Sequence, residues 1–532
     1  MFDYHYQRWI LCVFHWFSQG HASIMNRRVG AQRSSGQAAS DRSVAGCFSR
    51  AGLYASLKTT WTAGDAVRES GDECDFSYSE RHLQCVWFDD GLRPKTLRSA
   101  DGEEITVESA GQWNLEAGPD FLDALLTIGP DRRTVRGDIE VHICPEDWQK
   151  HGHADDPAYA RVVAHVTYFP GSLPAQDLPR GAIQISLRDA VNANPVFSFD
   201  SVDVTAYPFA ALPAKATRCG EILASWQPSD RIALLESAGE ERLRLKSCRI
   251  AEVIKQRGRE QAFYEEIMCS LGYKHNRTPF RLLATHVPLQ ALNDEAGGDA
   301  MKAYSLLLGV GGLLPAKTSM RWYDETKEFI RLLWDSWWRQ RSKWDAQCLA
   351  QGSWHLLGLR PQNHPVRRLA AAAVLFTGKK AFLDSFCHLA MSEPKDWHRK
   401  AESLLQQGSP MNFWKHRLSF SAKPQDSQIE MIGAGRVAAM VSNVVIPFLA
   451  ASGTDISPLL QHLPPEENNN LIRRTAYSLF GRDHNPALYH TGLRQQGLIQ
   501  IFHDFCLNNK TACRDCRFAE ALGSQVSVSR VN

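Results

Sequence analysis

The sequence predicts an α/β domain with a mixed sheet in an αβββαβ order, followed by a large, mostly α-helical region. The first observation is a series of short segments with strand-like alternation, separated by glycine and proline turns, between residues 76 and 212. The second is a change after Ile222, where apolar residues recur at three- and four-residue spacing. The third is a composition of 44% hydrophobic and 22% charged residues over 532 positions. That composition and length are typical of a globular chain with roughly two to four domains.

Charge and cysteine content exclude some classes of protein. Lys and Arg total 60 against 58 Asp and Glu, so the net charge of +2 excludes a uniformly basic nucleic-acid coat but permits a local basic groove. The 13 cysteines are too sparse for a disulfide scaffold and fit a reduced, cytoplasmic protein. The apolar run at residues 9–17 is shorter than the about 20 residues that span a membrane, so no membrane partner is expected. The oligomeric state stays open.

Residues 1–75 are predicted to be a disordered or mis-started leader. From Met25 to about Arg68 the chain is rich in Arg, Ser, Ala and Gly, and has too few apolar residues to bury a core. A targeting segment is the alternative interpretation. The expected folded units are therefore residues 76–212, the α/β domain, and residues 213–532, the helical region with a C-terminal cysteine cluster.

The elements of the α/β domain follow in chain order. Leu83, Val86 and Trp87 recur at helical spacing and predict a short helix at 78–88. Alternating apolar residues between glycine and proline turns then predict five strands, with a helical turn at 145–153 between the third and the fourth. The predicted strands are residues 104–108, 121–128, 135–143, 161–169 and 182–187.

Prolines at 195, 208 and 213 mark the boundary to the helical region. Beyond them the apolar spacing is that of helices with one buried face. The predicted helices are residues 232–256, 260–271, 323–344, 366–376, 396–405, 435–448 and 468–479.

Two carboxylates converge at one end of the predicted sheet. Asp120 precedes the second strand, and Glu140 and His142 are two residues apart on the third, so the latter two side chains point to the same face. If these strands pair as a hairpin, Asp120 and Glu140 meet at its open end. Such a pair is an oxygen-rich site for Mg²⁺ or Mn²⁺, ions that clamp phosphoryl oxygens and activate water. An ion pair of Glu140 with Arg136 or Arg161 is the alternative.

This layout resembles the PD-(D/E)xK nuclease superfamily over about residues 76–190. Pro119-Asp120 matches the PD, and Glu140-Val141-His142 matches the E-x-K. Glu80 on the preceding helix and Gln184 on a later strand match further polar positions of that superfamily. The resemblance implies a restriction-endonuclease-like core, a divalent ion on the two carboxylates, and hydrolysis of phosphodiester bonds in nucleic acid.

One departure from that pattern concerns the base. His142 stands where the superfamily has a lysine that orients water and stabilises developing charge. A histidine can take this role as an imidazolium or as a general base, because its unperturbed pKa is near 6.5. Lys150 is the alternative source of the missing amine. If neither serves, the fold is retained without cleavage.

Longer motifs resemble a bacterial family, domain-of-unknown-function family 2851, from about Glu80 to the C-terminus. This resemblance implies an identity but no activity. The motifs that carry it are Gly111-x-Trp113-Asn114, Ala117-Gly118-Pro119-Asp120-Phe121, Gly137-Asp138-Ile139-Glu140-Val141-His142, Asp147-Trp148-x-x-His151-Gly152-His153, Arg360-Pro361-x-Asn363-x-Pro365-x-x-Arg368-Leu369-Ala370 and Asn443-Val444-Val445-Ile446-Pro447.

A group of histidines follows the carboxylates, and its members are spaced so that they can meet: His142, His151, His153 and His165. A zinc hydrolase site needs about three such ligands and an open position. The sequence has no helical H-E-x-x-H motif, so a His-ligated site is the weaker hypothesis beside the carboxylates. In the alternative interpretation His165 belongs to the core, while His151 and His153 hold their loop by hydrogen bonds.

Three cysteines near the C-terminus, Cys506, Cys513 and Cys516, form a C-x6-C-x2-C cluster. The C-x2-C spacing lets a tight turn aim two thiolates at one ion. Cys219 is the candidate for the missing fourth ligand, and the alternatives are Cys248, Cys269 and His503. An upstream cysteine with a C-terminal triplet resembles the iron–sulfur clasp of AddB-type helicase–nucleases and of CRISPR-associated RecB-like exonucleases. The spacing differs from theirs, so Zn²⁺, a 4Fe-4S cluster and three reduced thiols all stay open.

Arginine and tryptophan interleave between residues 321 and 344, and a second basic patch comprises Arg360, Arg367 and Arg368 with Asn363. Such surfaces can contact phosphates and stack on bases. For the first segment a buried tryptophan face and a solvated charged face are the favoured interpretation.

The sequence thus predicts a metal-dependent nuclease in which Asp120 and Glu140 bind Mg²⁺ or Mn²⁺, His142 replaces the lysine, and Glu80 assists. The alternative is a catalytically inactive module that binds nucleic acid or protein. A His-ligated metal hydrolase is the third hypothesis.

Overall fold

A mixed sheet and a large helical region make up the computed structural model, which describes residues 48–57 and 78–529. Within that span it leaves out residues 116, 195–196, 209–216, 274, 378–381, 393–394, 407–410, 466–469, 482, 508–512 and 514–515. The predicted combination of a mixed sheet with a helical region is confirmed.

The sheet has seven strands in the order β1-β2-β4-β5-β6-β7, with β3 paired to β4. The strands from β1 to β5 pair antiparallel, whereas β5, β6 and β7 are parallel. The five predicted strands are all present. The two-residue strands β1 and β3 were missed, because two residues show no periodicity. The strands are β1 Leu97–Arg98, β2 Glu104–Ser109, β3 Gln112–Trp113, β4 Phe121–Ile128, β5 Arg133–His142, β6 Val162–Thr167 and β7 Ile183–Ser186.

Helices flank the strands of this domain. The helix before the sheet buries Leu83, Val86 and Trp87 in the same core as Ile139 and Val141 of β5. It begins at a capping box. The side chain of Ser79 accepts a hydrogen bond from the backbone amide of His82, and the side chain of His82 accepts one from the backbone amide of Ser79. A short helix and two single 3₁₀ turns connect β5 to β6. The helices of residues 78–192 are α2 Glu80–Phe88, α3 Asp147–Lys150 and α4 Arg188–Asn192, and α1 is residues 51–57.

The helical region contains all seven predicted helices, with ends that differ by a few residues. A π-helical turn, Val441–Val445, interrupts the helix predicted at 435–448. The helices are α5 Arg218–Ala224, α6 Pro228–Arg257, α7 Arg259–Leu271, α8 Arg277–His286, α9 Leu289–Ala296, α10 Ala300–Val310, α11 Asp324–Trp344, α12 Pro365–Phe376, α13 Phe382–Ser392, α14 Trp397–Leu405, α15 Asn412–His416, α16 Ala434–Met440, α17 Ile446–Ala451, α18 Ser457–Leu460, α19 Asn470–Phe480, α20 Gly492–Ile501 and α21 Arg517–Ser529.

One stretch, Ala434–Ala451, is long and apolar enough to cross a membrane by length and composition. Most of it is buried inside the structure, where Val437, Val445 and Phe448 belong to the core of the helical region. A core helix of a globular domain has the same composition, so its burial accounts for its hydropathy.

Residues 48–57 depart from the prediction of a disordered leader, because they form an ordered segment that includes α1. Tyr54 is fully buried, its amide donates to Ser237 Oγ at 2.7 Å, and its hydroxyl donates to Asp504 Oδ2 at 3.0 Å. Arg50 forms an ion pair with Glu236 of α6. A few apolar side chains are enough to order this segment, because they pack against a core formed by the helical region. Residues 1–47 and 58–75 lie outside the described residues.

Candidate metal and catalytic site

Asp120 and Glu140 lie opposite each other where β4 begins and β5 ends. Phe121 pairs with Ile139 across the two antiparallel strands, so the next pair outward is Asp120 with Glu140. The backbone amide of Asp120 donates to Glu140 Oε2 at 3.0 Å, and the amide of Val141 donates to Asp120 Oδ2 at 3.1 Å. Both side chains are buried, with exposed fractions of 2% and 5%. The hairpin thus brings the two acids together at its open end, as the spacing predicts.

The loop before β4 sets the position of Asp120. Asn114 donates its side-chain amide to the carbonyl of Pro119 at 2.8 Å, and its backbone amide donates to the carbonyl of Asp120 at 2.8 Å. Gly118 adopts a φ of 106°, which a residue with a side chain rarely tolerates. These contacts explain why a glycine and an asparagine flank the acid in this motif.

A residue that the sequence analysis missed, Gln84, bonds directly to Asp120. Its Nε2 donates to Asp120 Oδ1 at 2.8 Å from the buried face of α2. The available signal was its position four residues after Glu80, which places both on one side of the helix.

Tyr159 was also missed, and it reports on the charge of the site. Burial raises the pKa of its hydroxyl well above the usual value, and Glu140 and Asp120 raise that pKa further, with a smaller effect from Glu80. Glu80 therefore lies within electrostatic reach of Tyr159, the residue on which the two carboxylates also act.

Three imidazole nitrogens meet beside Glu140. His142 Nε2 lies 3.1 Å from His151 Nδ1 and 3.3 Å from His153 Nε2. Glu140 Oε1 lies 3.4 Å from His142 Nε2 and 3.3 Å from His153 Nε2. The ligand atoms of the three histidines all lie within 4.8 Å of one another.

The loop after β5 brings His151 and His153 back to the sheet. The amide of Cys144 donates to Asp147 Oδ2 at 2.9 Å and starts the turn that becomes α3. Gly152, between the two histidines, adopts a φ of 72°, a left-handed conformation that lets both rings face β5. His153 then stacks on Tyr159, with ring centroids 3.8 Å apart.

His165 supports His142 from the neighbouring parallel strand. β5 and β6 pair in a register that sets His165 beside Glu140, and His165 Nε2 lies 2.9 Å from His142 Nδ1. Burial lowers the pKa of His165 to about 4, and His153 adds to the effect, so the ring is neutral at pH 7. His165 is thus a core residue and a contact of the histidine group at the same time.

Two residues predicted to support the site bond elsewhere. Lys150 Nζ donates to Asp147 Oδ1 at 3.0 Å and is about half exposed. Gln184 lies in register with His165, but its amide bonds both backbone groups of Leu173, at 2.6 Å and 2.9 Å, and so holds the loop before β7. Both residues are close to the site in sequence, but their polar atoms form hydrogen bonds with other neighbours.

The alternative of an ion pair between Glu140 and Arg136 is not the arrangement found. Arg136 instead forms a two-bond pair with Asp123 at the surface, with Nε donating to Oδ1 at 2.7 Å. The bulge in β4 at Asp123, where φ is 61°, turns that carboxylate toward the arginine.

The C-terminal cysteines lie close to Cys219. Burial raises the pKa of the Cys506 thiol well above its ordinary value, and Cys219, Cys516 and Cys513 raise it further. Burial likewise raises the pKa of Cys513 to about 11, with added effects of Cys516 and Cys219. The four thiols are therefore electrostatic neighbours, although no three of these described sulfurs lie within 4.8 Å of one another.

The other candidates for a fourth ligand have different neighbours. Burial raises the pKa of the Cys269 thiol, but Arg281 and Arg277 outweigh that effect and lower the pKa overall. Cys248 accepts a contact from Arg244 at 3.7 Å. Burial lowers the pKa of His503, and the charges around it are cationic. Of these candidates for the fourth ligand, Cys219 is the one that lies near Cys506, Cys513 and Cys516.

The two basic patches differ in exposure. On α11, Trp337 is buried while Trp338 is exposed and carries Arg341 at 4.6 Å from its ring centroid, so one face is core and the other is solvated. In the second patch Arg360 is exposed, but Arg367 and Arg368 are buried, so the patch is not a continuous basic surface. Arg367 donates to backbone carbonyls that include those of Trp414 and Glu430, and so holds core loops together.

Comparison with known proteins gives a family. No curated protein and no solved structure matches the chain. A family model described as "Protein of unknown function (DUF2851)" matches residues 80–468 of the 532, which includes the sheet, the carboxylates and all four histidines. The cysteines at 506–516 lie beyond the matched residues. The chain therefore belongs to the family of proteins of unknown function DUF2851.

Proposed function

We propose that the chain is a metal-dependent hydrolase that cleaves phosphodiester bonds in nucleic acid. The observation that carries this proposal is the pair of buried carboxylates, Asp120 and Glu140, facing each other at the open end of β4 and β5 with His142 beside them. Buried like charges at close range are unfavourable unless a proton or a cation offsets them. A divalent ion bound at this point would provide that offset.

Each side chain has a role in this proposal. Carboxylate oxygens of Asp120 and Glu140 would hold Mg²⁺ or Mn²⁺, since hard cations prefer oxygen ligands. Such an ion supplies positive charge for a phosphate and lowers the pKa of a bound water. His142, 3.4 Å from Glu140, would orient the water or accept its proton in place of the lysine. Glu80 would add negative charge at the edge of the site.

One observation favours a second candidate, a non-catalytic binding module. Both carboxylate oxygens of Asp120 already accept hydrogen bonds, Oδ1 from Gln84 and Oδ2 from the amide of Val141. A carboxylate held this way can serve simply to join α2 to the hairpin. The two candidates differ in whether Asp120 contributes to cleavage.

The proposal includes a structural metal on Cys219, Cys506, Cys513 and Cys516, either Zn²⁺ or a 4Fe-4S cluster. Their mutual effect on thiol pKa supports it. A tetrahedral zinc site places its sulfurs about 3.8 Å apart, given Zn–S bonds of about 2.3 Å. A 4Fe-4S cluster instead takes one thiolate for each iron, and the four cysteines would supply these. Iron and zinc analysis of the wild type and of Cys513→Ser would distinguish the two, since the bound metal should be lost in the variant.

The function is tested with the purified full-length chain, labelled single- and double-stranded DNA and RNA, and added Mg²⁺ or Mn²⁺. We expect metal-dependent cleavage that Asp120→Asn and Glu140→Gln each abolish. The matched control is Asp123→Asn, three residues along the same strand, because its carboxylate pairs with Arg136 at the surface and asparagine tolerates its left-handed backbone.

The outcomes are distinct. Cleavage that is lost in the two site variants and kept in the control supports the hydrolase. Binding of nucleic acid without cleavage, equal in wild type and Asp120→Asn, favours the binding module. Absence of cleavage on every substrate with metal present overturns the proposal. Thermal unfolding of each variant shows whether a lost activity reflects a lost fold.

A further inference from the structure

We propose that His142, His151 and His153, together with Glu140, form a nitrogen-rich site for a first-row transition-metal ion, and that this ion is Zn²⁺. Glu140 and His142 belong to both sites, so Zn²⁺ here and Mg²⁺ or Mn²⁺ on Asp120 and Glu140 are alternative occupants: bound Zn²⁺ takes the ring nitrogen with which His142 would act on water. Metal binding stands on the side-chain geometry alone, whereas its consequence for cleavage rests on the proposed function.

The spacing of the donor atoms fits an ion of that class. Zinc binds imidazole nitrogen at about 2.0–2.1 Å and carboxylate oxygen at about 2.0–2.2 Å, so two donors in a tetrahedral site stand roughly 3.1–3.5 Å apart. The distances from His142 Nε2 are 3.1 Å to His151 Nδ1, 3.3 Å to His153 Nε2 and 3.4 Å to Glu140 Oε1. Glu140 Oε1 is 3.3 Å from His153 Nε2. These four of the six donor pairs fall in the required range. The three ring nitrogens all lie within 4.8 Å of one another, and this group does not include Glu140, so the histidines form the centre of the site and Glu140 stands at its edge beside His142 and His153.

Hydrogen bonding accounts poorly for the same contacts. His142 Nε2 faces two ring nitrogens and one carboxylate oxygen, but a ring nitrogen carries at most one hydrogen. One N–H can serve one of these contacts well, so some lone pairs must face each other. A cation between the three ring nitrogens, with Glu140 beside it, accepts the lone pairs that hydrogen bonds leave facing each other.

The surroundings hold these ligands in place. His142 is bonded through its second ring nitrogen, Nδ1, to His165 Nε2 at 2.9 Å, the kind of outer contact that orients a metal-bound imidazole. His153 is fixed by stacking on Tyr159 and by the edge of Trp148. His151 is exposed, so an ion or a substrate can reach the site from that side.

The donor set distinguishes the ion from Mg²⁺. Imidazole nitrogen suits Zn²⁺, Cu²⁺, Fe²⁺ and Ni²⁺, whereas Mg²⁺ prefers carboxylate, carbonyl and water oxygen. Three nitrogens and one oxygen without a thiolate match the ligands of hydrolytic zinc sites. The geometry therefore points to a site that binds Zn²⁺ more tightly than Mg²⁺.

The test measures Zn²⁺ binding to the full-length protein after dialysis against a chelator, by titration and by elemental analysis. We expect His151→Ala to bind one ion fewer, or to bind that ion at least about tenfold more weakly, than the wild type. His490→Ala, at an exposed histidine of the helical region, is the matched control and should bind as the wild type does. Co²⁺ substitution should give the visible spectrum of nitrogen and oxygen ligands in the wild type, and that component should disappear in His151→Ala.

The role of His165 as a positioning residue has its own readout. His165→Phe should weaken Zn²⁺ binding about 10- to 100-fold, and His165→Gln, which keeps a polar group next to His142, should restore part of it. A purely structural role predicts equal Zn²⁺ affinity in the two variants once both are shown to be folded.

Failure of this inference is distinguishable from failure of the proposed function. Equal Zn²⁺ uptake by the wild type, His151→Ala and His153→Ala overturns the histidine site, even if Mg²⁺-dependent cleavage is observed. Loss of one Zn²⁺ in these variants supports the site, even if no nucleic acid is cleaved. Zinc that remains in His151→Ala but is lost in Cys513→Ser belongs to the cysteines and also counts against the histidine site.

Discussion

Removal of the Gln84 side-chain amide should destabilise the protein and weaken the carboxylate site. In Gln84→Leu, the buried Oδ1 of Asp120 loses the donor that lies 2.8 Å away. A hydrogen bond to a charged group contributes about 1.5–3 kcal/mol, and the acceptor left here has almost no access to water. We therefore expect the free energy of unfolding to fall by about 1.5–3 kcal/mol in urea titrations without added metal.

The matched control is Gln149→Leu. Gln149 makes the same type of bond, from its Nε2 to Asp177 Oδ2, at the same length of 2.8 Å but in an exposed position. Water can replace the lost donor there, so the expected change is below about 0.5 kcal/mol. Equal losses in the two variants would refute the argument that burial makes the Gln84 contact strong.

The same variant also tests the site. Gln84 holds one oxygen of Asp120, and contacts of this kind typically contribute 10- to 100-fold to metal affinity. Mg²⁺ or Mn²⁺ titration of Gln84→Leu should show a loss of about that size, with no change in Gln149→Leu. Unchanged affinity would mean that Asp120 does not bind the ion.

Three further predictions concern the loop, the pH dependence and the buried arginine. Gly152→Ala should lower stability by about 1 kcal/mol and reduce Zn²⁺ uptake, because alanine disfavours the left-handed φ of 72° that turns His151 and His153 to the sheet; unfolding and metal titration measure both. Burial lowers the pKa of His82 to about 4, below its unfolded value of about 6.5. The neutral His82 ring therefore contributes fully to the free energy of unfolding above pH 6.5, and this contribution is lost as the pH falls toward 4. At pH 5 that loss is about 2 kcal/mol, and His82→Gln, which keeps the capping box, should show a correspondingly smaller decrease in stability between pH 7 and pH 5. Arg367→Met leaves several buried carbonyls unpaired and should cost about 3–5 kcal/mol in chemical unfolding, whereas exposed Arg360→Met should change stability by less than about 0.5 kcal/mol.

Local pattern in the sequence determined the strands of the sheet and the end of the hairpin at which the two acids lie. A strand alternates its side chains with a period of two, and antiparallel neighbours joined by a short turn pair in a register that the turn sets. The register set by the turn pairs Ala124 with Gly137 and would by itself put Phe121 opposite Glu140; the bulge at Asp123 shifts it by one residue, so that Asp120 takes that position. The two rules place both acids at the open end of the hairpin and put His142 on the same face as Glu140. They use only residues 118–143, so no distant contact is needed.

Tertiary packing decided which side chains complete the site. Gln84 reaches Asp120 because α2 packs on β5, and no local periodicity specifies which helix packs on which strand. The return of His151 and His153 to His142 depends on one left-handed glycine, and the partner role of His165 depends on the parallel register of β6.

The remaining differences between expectation and structure have one physical cause. Polar atoms bond the nearest available partner in space, which is often not the nearest functional group in sequence. Lys150 bonds Asp147 one helical turn away, Gln184 bonds the backbone of Leu173, and Arg367 bonds carbonyls of the core. Cys219 lies nearly 290 residues before Cys506 and is its electrostatic neighbour, because α5 packs in the same core as Phe505. The sequence by itself thus determined the strands and placed the two acids at one end of the hairpin. The bulge in β4 decided that they face each other, and the packing of distant segments decided the ligand set.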